Sequence, residues 1–449
     1  MARRSGDPAR DARRSDRLKS VRFLYNLAIY VAAIPGLAWQ FWRNRRIPGR
    51  RARLAGRLGF GSFLAGPTIW IHAVSVGEMQ AAAPLVRALL DRYPQYPVVI
   101  STLTPTGADR ARQLFGEAVQ LRYVPIDLPG SVRRFFDRVQ PRLALILETE
   151  LWPNLYAECG RRNVPLVLAS ARISPRSVGS YRRLVPLFRQ TLSHGIIIAA
   201  QSERDVARFL SIGAAPERSH VTGNIKFDFE LPAAVIGQGR DWRRTITSAR
   251  PVWVAGSTHE GEEVLVLDAH RRVREKLPAA LLVLVPRHPQ RFAPVRELLL
   301  RRGEIHVSRS EATATGAEIS VLLGDTMGDL MTFYAAADVA FVGGSLVPVG
   351  GHNLLEPAAA GCPVLTGPFC FNADAVLRLM VEAGAARVVR DSRDLARQVI
   401  GLLGNDAERE AMGAAGRRVL DENRGSLGRL LRLMELLLES SGQGRATSA

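Results

Sequence analysis

Seven stretches of this 449-residue chain bring acidic, basic and glycine residues together at spacings able to do chemistry. HAVSVGE (72–78) turns from an apolar run into an amphipathic one, so Glu78 falls in the first turn of a helix. A carboxylate there either complements the helix dipole or, at the carboxyl end of a strand, serves as a general base. ETELWPN (148–154) closes the most apolar run of the first half with Glu148 and Glu150. These carboxylates either ion-pair with the plentiful arginines or line a site. TGNIKFD (222–228) sets Lys226 after a Gly-Asn turn, which alone reads equally as a solvated surface lysine. In the second half, the small residues of GSTHEGEE (256–263) suit a strand-to-helix loop that offers N–H groups to an anion. VPRHP (285–289) places Arg287 and His288 at a strand end, and Arg suits bidentate contact with phosphate or carboxylate. GDTMGDL (324–330) is rich in backbone donors and carboxylates. The last stretch, VGGSLVPVGGHNLLEPAAAG (342–361), feeds two glycine pairs into a helix with Asn353 and Glu356 in its first turn. That pattern fits a monophosphate or diphosphate, with Glu356 in reach of a ribose hydroxyl; the alternative is a structural turn with a capping carboxylate.

Several chemistries have no support. There is no GxxxxGK[ST] phosphate loop, no HExxH, no paired CxxC and no GxSxG nucleophile elbow. The three cysteines (Cys159, Cys362, Cys370) are too few and too scattered for a disulfide framework or a zinc site. A reducing, cytosolic setting suits them. No metal and no cofactor is therefore expected.

The elements that must position these residues read as strand, then helix, repeated. Apolar runs at 68–74, 97–103, 121–126, 142–148, 165–171 and 195–202 form a first series of strands. GEMQAAAPLVRALLDRY (77–93) is the first intervening helix, with apolar residues at helical spacing. Runs at 251–257, 281–288, 305–309, 319–325, 339–345 and 363–367 form a second series. Such alternation predicts two parallel sheets covered by helices, an α/β architecture of two doubly wound halves. Nearly every candidate residue lies just after a strand, where such sheets bind ligands. The predicted division is a basic N-terminus over 1–58, a first domain over 59–230, a linker over 231–250, a second domain over 251–439 and a disordered tail over 440–449.

Charge is uneven. Residues 1–60 hold fifteen Arg or Lys against three Asp, a formal +12 of the total +19. Inside them lies FLYNLAIYVAAIPGLAWQFW (23–42), twenty uncharged residues ending in Trp39, Phe41 and Trp42. That length just spans a hydrocarbon core, and aromatics belong at its interface. No small-residue cleavage site follows, which argues against a signal peptide. Asn26, Pro35 and Gln40 interrupt the stretch, so a spanning helix and one lying in the interface both remain open. With this neighbour, the basic residues point to an anionic membrane surface and not to nucleic acid.

Taken in order, HAVSVGE, STLTPTG, DLPG, ETELWPN, the SAR of LASARIS, AAQSERD, TGNIKFD, STHEGEE, LVPRHPQRF, GDTMGDL, FVGGSLVPVGGHNLLEPAAAG and GPFCFN carry a resemblance. From about residue 20 to about residue 435 the chain resembles the 3-deoxy-D-manno-octulosonic acid (Kdo) transferases of lipopolysaccharide assembly. The resemblance implies a GT-B glycosyltransferase fold, two Rossmann-like domains facing across a cleft. It implies CMP-Kdo as donor, the lipid A precursor (lipid IVA) in the inner membrane as acceptor, and catalytic domains on the cytoplasmic side. It carries the general base onto Glu78 and transition-state support onto Glu148 and Lys226. Donor contacts fall on Pro286 and Arg287, on Met327, Gly328 and Asp329, and on Asn353, Leu354, Leu355 and Glu356. One departure is Asp329, where the family pattern often has Glu. The other reading is a different GT-B enzyme acting on a UDP-sugar, as transferase or epimerase. A non-enzymatic membrane or nucleic-acid binder accounts for the N-terminus but leaves the strand-end motifs unexplained.

Overall fold

Two seven-stranded, wholly parallel sheets organise the chain in a computed structural model. The structure describes residues 8–43, 50–174, 177–179, 181, 185–192, 195–246, 250–311, 316 and 318–446. The chain divides into unit 1, Met1–Ile225 with Gly425–Ala449, and unit 2, Lys226–Arg424.

In unit 1 the strands are β1 (Thr68–His72), β2 (Val98–Thr102), β3 (Gln120–Tyr123), β4 (Pro141–Leu147), β5 (Leu166–Ala171), β6 (Ile197–Ala200) and β7 (Ser219–Val221). Their order is β3-β2-β1-β4-β5-β6-β7. The order reverses between β1 and β4, so the crevice at their carboxyl ends is the switch point where such a sheet binds ligands. Both faces of the sheet are covered, which is why its strands read as unbroken apolar runs. Ile69, Ile71, Leu143 and Leu145 face Leu85 and Leu89 of the helix Val76–Arg92, while Trp70, Ala144 and Ile146 face Phe135, Phe136 and Tyr156.

Unit 2 repeats the plan with β8 (Val252–Thr258), β9 (Leu281–Pro286), β10 (His306–Ser308), β11 (Val321–Leu323), β12 (Val339–Val342), β13 (Val364–Thr366) and β14 (Ala386–Val388). The order is β10-β11-β9-β8-β12-β13-β14, and the switch point lies between β8 and β12. Trp253 and Ala255 pack on one face of this sheet and Val252 and Val254 on the other.

Several expectations change. The two edge strands β7 and β14 went unseen; each is short and mostly not buried, so no unbroken apolar run marks it. The segment expected as a linker, 231–250, holds the helix Ala233–Ile246, whose Trp242 buries its ring edge-on against Phe333, 5.3 Å between centroids. Residues 247–249 lie outside the described ones. The last helix, Ser426–Ala446, was assigned to the second domain but belongs to unit 1. Its Leu430, Leu431, Met434 and Leu438 complete the core beside Leu85 and Leu89. It also covers most of the tail expected to be disordered; only 447–449 lie outside the described residues.

At the N-terminus a single helix runs from Pro8 to Arg43, with Pro35 inside it. No helix among the described residues is long and apolar enough to cross a membrane. The helix is tied to unit 1 by side chains. Tyr25 Oη donates to Asp127 Oδ2 at 2.8 Å, and Asn154 Nδ2 donates to Asn26 Oδ1 at 2.7 Å. Among its described side chains, Phe23, Leu24, Leu27, Val31, Ile34 and Trp42 are apolar and all more than half exposed. The Trp39 and Phe41 side chains, expected at the interface with Trp42, lie outside the described ones.

Candidate active site

Glu78 sits at the carboxyl end of β1, in the first turn of the helix Val76–Arg92. Ser75 is the cap of that helix: its Oγ accepts from Glu78 N at 3.2 Å. Glu78 reaches back in turn. Its Oε2 accepts from Val74 N at 2.8 Å and its Oε1 from Ser75 Oγ at 2.9 Å. This Ser-x-x-Glu exchange is a variant of the capping box, the carboxylate taking the N–H one residue before the cap, so the helix-start reading of Glu78 is realised in the structure. The base reading needs in addition a position where an acceptor can reach the carboxylate, and Glu78 is only partly buried. Gly77 is exposed and a Cβ there would meet only Ser75 Oγ, at 3.9 Å, so nothing in unit 1 requires a glycine at that point.

Glu148 follows β4, the strand beside β1 at the switch point. Its φ is +58°, a left-handed conformation that a residue with a side chain rarely adopts. Glu148 N donates to Ala169 O at 2.9 Å, and Arg172 Nε donates to its Oε2 at 3.1 Å. Ser170 and Ser257 share the positive φ, each within β5 or β8 and close to its carboxyl end.

Glu150 was seen in the motif but given no role, and the structure singles it out. Burial, then the nearby charges of Glu78 and Glu148, push its carboxyl up to about 7. Three carboxylates thus share one strand-end crevice, and one of them titrates near neutrality. The signal was legible only as a second Glu two residues after the first.

His72, the first residue of the motif, is wholly buried and neutral; burial pushes it down to about 4. Its Nδ1 lies 2.9 Å from Ser101 Oγ, which also accepts from Trp70 Nε1 at 2.7 Å. Its part is to brace β1 against β2.

Lys226 opens unit 2, within the short 3-10 turn Ile225–Asp228. Ser170 Oγ holds that turn by accepting from Ile225 N at 3.0 Å, and Asn224 Nδ2 donates to Gln201 Oε1 at 3.2 Å.

In unit 2, Pro286 ends β9 and Arg287 follows, its N–H donating to Thr258 O at 2.9 Å. Met327 is two-thirds exposed; Gly328 takes φ +99°, and Asp329 accepts from Thr326 Oγ1 at 2.7 Å and pairs with Arg309 at 3.3 Å. Asn353 Oδ1 accepts from Leu355 N at 3.1 Å, and its Nδ2 donates to Glu356 Oε1 at 3.2 Å. Leu354 and Leu355 are buried, so their side chains belong to the core.

The glycine pairs do not offer their N–H groups to an anion. Gly343 N donates to Gly256 O at 2.8 Å, and Gly350 N and Gly351 N both donate to Gly344 O. Glu262, wholly buried, takes the rest: its carboxylate accepts from Gly344 N at 2.6 Å, Ser345 N at 3.0 Å, Leu346 N at 2.8 Å and His259 N at 3.2 Å. The glycines are there for close packing: a Cβ on Gly350 would lie 2.2 Å from Asn372 Nδ2. No group of three or more His, Cys, Asp or Glu able to hold a metal occurs among the described residues.

Comparison with known proteins places the chain. Residues 52–229 match the family described as 3-deoxy-D-manno-octulosonic-acid transferase (kdotransferase), and residues 258–419 match glycosyl transferases group 1. The chain is 41% identical to the 3-deoxy-D-manno-octulosonic acid transferase of Haemophilus influenzae, over 93% of this chain and 99% of that one. The enzyme of the same name from Bordetella pertussis is 39% identical over 91% and 98%. Among solved structures, a putative UDP-N-acetylglucosamine 2-epimerase from Listeria monocytogenes has the same fold, with a TM-score of 0.54 and 15% identity over 84% of this chain and 98% of that one. With carboxylates at one switch point and an arginine beside the other, and with such identity along nearly its whole length, the chain belongs to the family of 3-deoxy-D-manno-octulosonic acid transferases.

Proposed function

We propose that the protein transfers Kdo from CMP-Kdo to a hydroxyl of the lipid A precursor, lipid IVA, with inversion at the anomeric carbon. The observation that carries this reading is the placement of Glu78, Glu148 and Glu150 at the carboxyl ends of adjacent strands β1 and β4. In this reading Glu78 takes the proton of the acceptor hydroxyl as the new bond to Kdo forms. CMP leaves from the opposite face through an oxocarbenium-like transition state. Negative charge then grows on the departing phosphate, and Arg287 and Lys226 stabilise it. Glu148 supports the charge that develops on the sugar. Pro286, Met327, Gly328, Asp329, Asn353, Leu354, Leu355 and Glu356 frame the nucleotide. The reaction as written needs no metal ion and no cofactor.

The acceptor is a membrane lipid, and the helix Pro8–Arg43 gives a reason for the protein to stay near it. Its exposed apolar residues and the basic N-terminal sequence suit an anionic surface in which the helix lies. The surface proposed is the cytoplasmic face of the inner membrane.

The test is mass spectrometry of the lipid product after incubation with CMP-Kdo and lipid IVA. Product heavier by one or more Kdo units is expected; no product, with a UDP-sugar turned over in its place, would overturn the reading. Binding to vesicles containing anionic lipid should be lost on deleting residues 1–58, and retention would refute the membrane role.

A further inference from the structure

Three histidines gather at the unit 2 switch point, and the proposed chemistry gives none of them a role. His259 follows β8, His288 follows β9, and His352 stands just before the short helix Leu355–Ala359. His259 Nε2 and His352 Nε2 are 2.8 Å apart, and the two rings are parallel within 6° with centroids 5.0 Å apart, so they meet head-on, nearly in one plane. The His288 ring meets His259 edge-on at 5.4 Å. A Cβ on Gly344 would lie 3.0 Å from the His352 ring and 3.3 Å from that of His259, so the loop is shaped around the pair.

A contact between two Nε2 atoms fixes the protonation pattern. One ring must donate from Nε2 and the other must accept there, carrying its own hydrogen on Nδ1. The pair can take one further proton without losing its bond: the proton adds to Nδ1 of the donating ring. A second would put two N–H groups face to face.

The charged surroundings are one-sided. Arg287 has no ion pair among the described residues; burial first, and then its charge, disfavours protonation of His259, His288 and His352. Arg291 is answered by Glu260 and Glu263, each at 3.3 Å. Glu262 is spent on four backbone N–H groups, one of them that of His259. Thr258, wholly buried beside His259, has a hydroxyl with no hydrogen-bond partner among the described residues. The glycine N–H groups are already taken and cannot meet an anion arriving here, whereas the side chains of Arg287 and the histidine pair can.

We infer that the His259–His352 pair, together with Arg287, recognises the phosphate of the donor, and that the pair takes up one proton as that anion binds. The inference rests on the donor reading above. Burial and the arginines hold the free pair neutral, and a phosphate beside it supplies the missing counter-charge. The added proton goes from solvent to one Nδ1, giving an imidazolium–imidazole pair with its N–H···N bond intact. Linkage sets the sign: a site that binds a proton with its ligand binds that ligand more weakly as pH rises.

The probe is the methyl ester of CMP, whose phosphodiester keeps a single charge throughout the working pH range. Calorimetry on the full chain, in buffers of different ionisation enthalpy between pH 5.5 and 7.5, counts protons taken up on binding. Uptake rising toward one proton at the acid end is expected. His352→Asn should bind at least tenfold more weakly, with uptake near zero. His259→Gln is the second variant should the first fail to fold, judged by its unfolding curve. Binding by the wild type without proton uptake, or equal uptake in the variants, overturns the proposal while leaving the donor reading intact. No binding of the ester or of CMP at all overturns both.

Discussion

Replacing Glu78 with Gln separates the capping duty that its carboxylate performs from the base catalysis proposed for it. One is local. Glu78 braces the helix start by accepting from Val74 N and Ser75 Oγ. Gln retains a carbonyl oxygen and is itself a capping-box residue, so the fold should lose at most about 1 kcal/mol. The other duty is chemical. A positioned general base contributes about 10²–10⁴-fold, roughly 3–5 kcal/mol of barrier at ~1.36 kcal/mol per tenfold. An amide cannot accept the acceptor proton, so Glu78→Gln should lower kcat by at least about 10²-fold. CMP affinity should be unchanged, since the residues proposed to contact the donor lie in unit 2. Initial rates with CMP-Kdo and lipid IVA, CMP calorimetry and a denaturant curve measure the three effects separately. Turnover within about fivefold of wild type would refute the base assignment and leave Glu78 as a helix cap. A loss of turnover matched by a stability loss of several kcal/mol would refute the separation of duties instead.

Four further outcomes follow from the same geometry. Arg287→Ala removes the proposed charge-assisted contact with the donor, worth about 1.5–3 kcal/mol, so CMP should bind roughly ten- to a hundred-fold more weakly; unchanged affinity by calorimetry refutes its role. Glu150→Gln deletes an ionisation near pH 7. Because a raised carboxyl pKa lowers stability as pH climbs from about 4.5 to about 7, the variant should gain of order 1 kcal/mol above pH 7, after allowance for partial exposure, and lose an inflection near 7 in its pH–rate curve. His270 is buried between Trp253 Nε1 at 3.1 Å and Ser320 O at 2.9 Å, and burial pushes it down to about 3. Its neutral form stabilises the fold fully above about 6.5 and progressively less as pH falls toward 3, so His270→Gln should flatten the unfolding free energy over that window; an unaltered slope refutes the argument. Glu262→Ala strands the N–H groups of Gly344, Ser345, Leu346 and His259, and should destabilise unit 2 by about 3 kcal/mol or more in thermal unfolding.

What could be read from the sequence was what depends on period. Apolar runs bounded by turns gave twelve strands, two sheets and the strand-end placement of Glu78, Glu148 and Arg287, because burial on both faces leaves an unmistakable apolar signature. Long-range partnership leaves none. The helix Ser426–Ala446 has the same amphipathic pattern whichever unit it covers, and only the packing of Met434 and Leu438 beside Leu85 and Leu89 assigns it to unit 1. The glycine loops failed for a sharper reason. Gly-Gly beside a helix start is a phosphate signature only if its N–H groups are unclaimed. Here the claimant, Glu262, lies eighty-two residues upstream of Gly344, in a motif that was itself read as an anion cradle. A buried carboxylate takes the place that the spacing had reserved for phosphate. That substitution has a consequence for recognition. Backbone donors bind an anion whatever the pH, whereas Arg287 and two neutral imidazoles bind it with a proton. His259 and His352, to which the sequence assigned no role, therefore become the groups on which the pH dependence of donor binding turns.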